Sequence, residues 1–167
     1  KDVKTLSPLE AYLKDLLIVR LGTMDASITF VSKQILRCPW SDLSLDFGSL
    51  LVKYLLKTCR KGRYNSVNEV VSLISNLRKT KPEILARTID TVSEELQYTI
   101  ENPSIRDQQR AIIYAKLLGE MHCQALVSGA IIFTTLLNLI NFDHEIPEGL
   151  RMISSDKNTA KSNNLLG

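Results

Sequence analysis

The sequence contains few of the residues that build compact reactive sites or sharp turns. Its 167 residues include only three cysteines, two histidines, seven glycines and five prolines. Cys38, Cys59 and Cys123 are odd in number and far apart, and none lies in a Cys-x-x-Cys or Cys/His pattern. A structural zinc site and a disulfide framework are therefore not expected. We predict no metal and no cofactor, in a compartment that keeps thiols reduced.

Long hydrophobic runs and a strong charge bias are also missing. The most apolar stretch, residues 127–142, is interrupted by Ser, Thr and Asn and is too short and too polar to cross a membrane. The net charge of +3 and the charged fraction of 23% do not by themselves indicate a nucleic-acid-binding protein. We predict a globular protein that does not associate with membranes.

Catalytic combinations of residues are scarce. The histidines are His122 and His144, and His122 adjoins Cys123, but neighbouring residues on a helix point about 100° apart and do not form a nucleophile–base pair. The sequence has no glycine-rich phosphate-binding loop, and Glu94-Glu95 lacks the apolar setting that acid–base catalysis needs. We predict no catalytic residues and a protein that is not an enzyme.

What the sequence does contain is helical periodicity in seven segments. These begin at typical helix start signals: Ser7-Pro8, Thr23 or Asp25, Ser41-Asp42, Ser66, Pro82, Pro103 and Ser128. Short links join the segments and no strand alternation occurs, which predicts an all-α protein. Hairpins begin near residues 8, 41 and 82, a spacing of about 40 residues that is typical of HEAT-type repeats. We predict HEAT-like antiparallel hairpins in a right-handed solenoid over residues 1–142, with the seventh helix near 128–142, and a loop or tail over residues 143–167.

The stretch from Pro82 to Met121 organises this predicted fold. Its first helix has an apolar stripe at intervals of three and four, formed by Leu85, Ile89, Val92, Leu96 and Ile100. At about 100° per residue, the opposite side holds Glu83, Asp90, Glu94, Gln97 and Glu101. The second helix, residues 111–120, is apolar on more than one side and is predicted to be buried. Gly119 within it predicts the close approach of a neighbouring helix.

The acidic side of the first helix is the predicted protein-binding surface, formed by Asp90, Glu94, Glu95, Gln97 and Glu101. A charged helix face is often no more than a solvated face. Here, however, Asp90 and Glu94 are like charges four residues apart, which destabilises a helix. Glu101 lies in the last turn, the unfavourable end of the helix dipole for an anion, and Arg87 offers only partial relief. Such a surface fits a cationic partner.

A basic group lies near the turn after the third helix and suggests an alternative site. Lys57, Arg60, Lys61 and Arg63 could make weak, sequence-independent contacts with RNA phosphates. Cations at helix ends also stabilise the terminal carbonyl groups. Both interpretations of these residues remain open at the level of the sequence.

Four motifs in a characteristic order carry a resemblance to a known family: Ser7-Pro8-Leu9-Glu10-Ala11-Tyr12, Cys38-Pro39-Trp40-Ser41-Asp42, Arg63-Tyr64-Asn65-Ser66 and Ala115-Lys116-Leu117-Leu118-Gly119-Glu120. Together, over residues 7–142, they resemble the family named after the middle domain of initiation factor 4G, and in particular a domain of a scaffold of nonsense-mediated mRNA decay. The resemblance implies a HEAT-like, non-catalytic adaptor domain of mRNA surveillance. It also implies a partner, the RNA-recognition-motif domain of the third up-frameshift protein, whose basic surface docks on the acidic helix.

The resemblance implies further properties of the protein. Other decay factors are expected to bind the rest of the scaffold, and the domain is expected to be a monomer, located in the cytoplasm or around the nucleus and shuttling into the nucleus. Family members carry more helices after the seventh, whereas this chain departs from the family pattern at Asp143. Two alternatives remain: an RNA-binding helical repeat that uses the basic turns, and a family member that acts in translation initiation or at the exon junction.

Overall fold

All regular structure in the described part of the chain is helical. The computed structural model describes residues 6–21, 26–40, 46–62, 66–102 and 104–143. Within these ranges the helices are α1 (Pro8–Leu13), which continues directly into a π-helical segment (Lys14–Leu21), α2 (Ile28–Leu36), α3 (Phe47–Lys61), α4 (Ser66–Leu77), α5 (Pro82–Glu101), α6 (Ile105–Cys123) and α7 (Gly129–Asp143). The prediction of an all-α protein with seven helices is confirmed.

Side-chain caps fix several helix starts. Ser7 Oγ accepts a hydrogen bond from the Glu10 N–H at 3.2 Å, and the Glu10 carboxylate accepts one from the Ser7 N–H, which is the predicted capping box. Ser27, Asp46 and Ser104 cap α2, α3 and α6 in the same way, each by accepting from a backbone N–H three residues later. Several predicted features lie outside the described residues: Thr23, Asp25, Ser41, Asp42, Arg63, Pro103 and the segment after residue 143.

The helices form two layers. Within one layer, α1 with its π-helical continuation packs beside α3, α3 beside α5, and α5 beside α7; within the other, α2 packs beside α4 and α4 beside α6. Between the layers, the π-helical segment contacts α2, α3 contacts α4 and α5 contacts α6, so that α3–α4 and α5–α6 are antiparallel hairpins. This arrangement is the stacked-hairpin architecture of a helical repeat protein.

The core lies between the two layers of helices. The side of α5 that faces this core differs from the predicted side over the first half of the helix. Its innermost residues recur at intervals of four: Ile84, Thr88, Val92 and Leu96. Val92 and Leu96 of the predicted apolar stripe are buried, whereas Leu85 and Ile89 of that stripe are only partly buried. The hydroxyl of Thr88 is satisfied inside the core, because it donates to the Ile84 carbonyl at 2.7 Å.

Trp40 anchors the turn of residues 37–40 that follows α2. Its ring meets Phe47 edge-on with centroids 4.7 Å apart, and its Nε1–H donates to the Ile35 carbonyl at 3.1 Å. The Lys81 ammonium lies 4.7 Å from the ring centroid, within the range of a cation–π contact. The turn is thereby tied to the start of α5, where Lys81 precedes Pro82.

Two predictions about α6 are wrong. The helix is buried on one side only: Tyr114, Leu117 and Met121 are buried, whereas Ile112 is 69% exposed. Gly119 has nothing within 4 Å of the position that a Cβ would take, so the described residues include no helix that approaches it closely. The apolar composition of α6 led to a prediction of full burial, but neighbouring helices cover only one side of it and the other side is exposed.

The described residues contain neither a membrane-spanning helix nor a metal-binding cluster. None of the described helices is long and apolar enough to cross a membrane. No group of three His, Cys, Asp or Glu among the described residues is placed to hold a metal ion. Cys38, Cys59 and Cys123 are free thiols, and burial raises the pKa of Cys59 to about 12.

Candidate protein-binding site

The candidate site follows from the way α5 is embedded. Because one side of α5 packs into the core, its opposite side faces outward over the whole helix, from Pro82 to Glu101. Asp90, Glu94 and Glu101 are exposed on this side, and Gln97 is partly buried. The structure thus presents the predicted acidic residues at the surface of the first layer.

The five predicted residues of this site differ in their contacts. Glu95 turns toward α6, where its carboxylate lies 3.3 Å from the Arg110 guanidinium. Gln97 donates to the Glu101 carboxylate at 2.8 Å. For Asp90 and Glu94, no cation of the described chain comes within 4.0 Å, the limit for an ion pair. Within the described residues, Asp90 and Glu94 therefore have no counterion, and Glu101 has only the hydrogen bond from the neutral Gln97 amide.

Arg87 does not relieve the charge of Asp90, although it lies one turn before it. Its Nη1 lies 2.7 Å from both carboxylate oxygens of Asp46 and 2.9 Å from Ser49 Oγ. The hydrogen bonds from Arg87, followed by those from Ser49, lower the pKa of Asp46 to about 2. Arg87 is consequently committed to joining the start of α3 to α5. No pattern in the sequence indicates this pair, because Asp46 is the N-cap of a different helix.

A cleft separates α3 from α5. Its volume is about 280 Å³, and α3 and α5 supply most of its lining. The buried residues Val52, Leu56 and Tyr114 lie at its base. Asp90 and Glu94 belong to the wall that α5 contributes. The acidic residues therefore border a concave surface with an apolar base, a shape suited to an inserted side chain of a partner.

Three of the four predicted basic residues, Lys57, Arg60 and Lys61, lie on α3, next to the same cleft. Arg60 lines the cleft and is exposed, as is Lys61. Lys57 is partly buried, and its ammonium lies 5.2 Å from the centroid of the Tyr54 ring. Arg63 lies outside the described residues. The structure thus places the two candidate sites, which the sequence treated as separate, on adjacent helices.

Two further lysines lie near the predicted basic group: Lys53 on α3 and Lys14 on the π-helical segment. Burial lowers the pKa of Lys57, and so do the neighbouring cations, Lys61 first and then Lys14, Lys53 and Arg60. Lys53, Lys57 and Lys61 recur every four residues, so they share one side of α3. This spacing is a signal in the sequence that could have identified Lys53. Lys14 comes from the π-helical segment, and only the packing brings it close.

His122 and Cys123 do not form a reactive pair. The Nδ1 of His122 lies 2.9 Å from the Val127 carbonyl oxygen, which ties the ring to the turn that follows α6. Cys123 is exposed at the last position of that helix. The ring of His122 therefore has a contact that stabilises the end of α6, in agreement with adjacent helical residues pointing apart.

One family model and three related proteins match most of this chain. The family described as MIF4G domain matches residues 14–155. The chain is 29% identical over 145 residues to Regulator of nonsense transcripts UPF2 of Arabidopsis thaliana, which covers 87% of the chain and 12% of that protein. It is 28% identical over 136 residues to Regulator of nonsense transcripts 2 of Homo sapiens and of Mus musculus, covering 81% of the chain and 10% of each. The chain therefore spans about a tenth of the length of these relatives.

Proposed function

This chain belongs to the MIF4G domain family, and we propose that it is a non-catalytic adaptor domain of a nonsense-mediated mRNA decay scaffold. In this proposal, α5 binds the RNA-recognition-motif domain of the third up-frameshift protein. The relatives named as regulators of nonsense transcripts support the surveillance role over roles in initiation or at the exon junction. The protein acts in the cytoplasm or around the nucleus, shuttles into the nucleus, and holds other decay factors through the rest of the scaffold.

One observation supports this site most strongly: Asp90 and Glu94 are exposed beside a cleft and have no counterion within the described chain. Like charges four residues apart on a helix cost about 0.2–0.5 kcal/mol. A cation from a partner would remove this repulsion and would add its own attraction. The free domain therefore carries a small electrostatic cost that binding relieves, and the attraction also accelerates encounter with a basic surface.

The test is calorimetric titration of the chain with the purified RNA-recognition-motif domain. The variant Asp90→Asn with Glu94→Gln loses two negative charges. Gln108→Lys with Gln109→Lys is the matched control, because it shifts the net charge by the same amount at exposed positions of α6. We expect at least a tenfold loss of affinity for the first pair and little change for the second. Equal effects would mean that only net charge matters, and no effect of either would refute the site.

A second candidate function, contact with RNA, is favoured by the basic group on α3. The four cations around Lys57 that lower its pKa form a concentrated positive surface, which attracts phosphates without reading bases. Changing Lys57, Arg60, Lys61 and Arg63 together to Glu should weaken binding to single-stranded RNA. Wild-type affinity should also fall steeply as salt is raised. If wild type shows no binding at low salt, this candidate is wrong.

A further inference from the structure

The cleft between α3 and α5 has walls of opposite charge. The α5 wall carries Asp90 and Glu94, and the α3 wall carries Lys53 and Arg60. All four side chains belong to exposed residues. Neighbouring packed helices lie about 8–10 Å apart, which is comparable to the screening length of about 8–10 Å at physiological salt. A partner side chain seated in the cleft therefore lies within reach of the charges on both walls.

The two walls do not neutralise each other. Glu95, the acidic residue at the far end of the cleft, is bound to Arg110, and Arg87 at the near end is bound to Asp46. No carboxylate of the described residues lies within 4.0 Å of Arg60, and Lys53 reaches Glu10 only at that limit. The charges left over are thus Asp90 and Glu94 on the α5 wall and Arg60 on the α3 wall, beside Lys53, whose one ion pair is at the 4.0 Å limit.

From this arrangement we infer that the partner of the cleft presents charges of both signs, with Lys or Arg against Asp90 and Glu94 and with Asp or Glu against Lys53 and Arg60. The inference rests on the proposed function, since it specifies the chemistry of the partner at that same site. A uniformly basic surface would be attracted by α5 but repelled by α3. Like charges placed together at an interface repel each other and weaken binding. The α3 wall therefore selects among basic partners, because repulsion of the wrong partner is an ordinary source of specificity.

The pKa of Tyr114, at the base of the cleft, is affected by charges on both helices that line it. Burial raises the pKa of the Tyr114 hydroxyl, whereas the positive charge of Arg60 opposes that rise and the negative charge of Glu95 adds to it. Arg60 of α3 and Glu95 of α5 therefore both lie close enough to act on the Tyr114 hydroxyl at the base of the cleft. An acidic side chain that enters the cleft beside Arg60 would displace little structure, since Arg60 is exposed.

The test is the direction in which Arg60→Glu changes affinity for the RNA-recognition-motif domain. If the partner places an acid on the α3 wall, this reversal repels it, and affinity should fall at least fivefold. If the partner is uniformly basic, the same reversal removes a repelling cation and affinity should rise. Lys33→Glu on α2 is the control, because it makes the same charge change at an exposed residue of the other layer. A rise, or no difference from the control, overturns the inference.

Folding is checked by the thermal melt of each variant, since Arg60 lies in the last turn of α3, where a cation is favourable. Arg60→Gln and Lys53→Gln, which only neutralise the wall, should give smaller losses in the same direction, and opposite changes would also count against the inference. If wild type fails to bind the domain at all, or if Asp90→Asn with Glu94→Gln has no effect, the proposed function itself fails. If those results hold and only Arg60→Glu departs from expectation, the proposed function stands and the two-signed partner is wrong.

Discussion

Replacing Glu101 with Arg should make the free domain more stable and a weaker binder. Glu101 lies in the last turn of α5 and is exposed, where an anion opposes the helix dipole and a cation favours it, each by about 0.3–1 kcal/mol. The substitution loses the hydrogen bond from Gln97, a side-chain pair worth about 0.2–0.5 kcal/mol. The balance is a gain in the free energy of unfolding of about 0.3–1.5 kcal/mol.

For a chain of 167 residues, this gain corresponds to a rise in Tm of about 1–5 °C. The rise is measured by calorimetry at low ionic strength, and it should shrink in high salt because exposed charges are screened. Glu101→Gln should give about half of the effect, since it removes the anion without adding a cation.

Affinity for the RNA-recognition-motif domain should fall at least threefold in Glu101→Arg, because a basic partner now meets a like charge. Opposite changes in stability and affinity are expected of a residue that is retained for binding. A lower Tm would refute the reasoning, because it would mean that Glu101 has a stabilising partner. A higher Tm with unchanged affinity would place Glu101 outside the interface.

Three further predictions concern the fold. Leu55→Ala, at a fully buried position, should lower the free energy of unfolding by about 2–5 kcal/mol, as measured by urea denaturation, whereas exposed Lys53→Ala should change it by less than about 0.5 kcal/mol. Hydrogen bonds lower the pKa of folded Asp46 to about 2, against about 3.9 in the unfolded chain. The contribution of Asp46 to stability is therefore present above pH 4 and is lost as the pH falls from about 4 to 2. Asp46→Asn should remove that part of the acid dependence of the melt. Chelators and reductants should leave the Tm unchanged, and a metal-dependent melt would contradict the assignment of Cys38, Cys59 and Cys123 as free thiols.

The existence and limits of α5 could be predicted because their causes are local. Pro82 suits a first helical position, and apolar residues at intervals of three and four identify an amphipathic helix. Which side of the helix faces the core was harder to predict from the sequence. Thr88 is a polar residue, yet it is buried because its hydroxyl donates to the Ile84 carbonyl of the same helix. The side of α5 that faces the core is therefore centred on Ile84 and Thr88 and not on Leu85 and Ile89.

The composition of the cleft could not be predicted, because it depends on contacts between distant parts of the chain. Local spacing predicted that Arg87 gives partial relief to the acidic residues of its own helix, whereas it binds Asp46, the N-cap of α3. Arg60 and Glu94 were assigned to separate sites, and the packing of α3 beside α5 brings them to one cleft. Local rules describe pairs three or four residues apart on one helix, and they contain no information on which helices become neighbours.

The central claim is that the outward side of α5 contacts the RNA-recognition-motif domain, and the most direct test is to map the contact on the wild-type chain. The measurement is the change in backbone amide NMR shifts of the isotopically labelled chain as the unlabelled domain is added. We expect the largest changes at Asp90, Glu94 and Glu101, with a second group around Arg60 across the cleft. Changes confined to α2 and α4 in the other layer, or saturating addition of the domain with no change on α5, would contradict the claim.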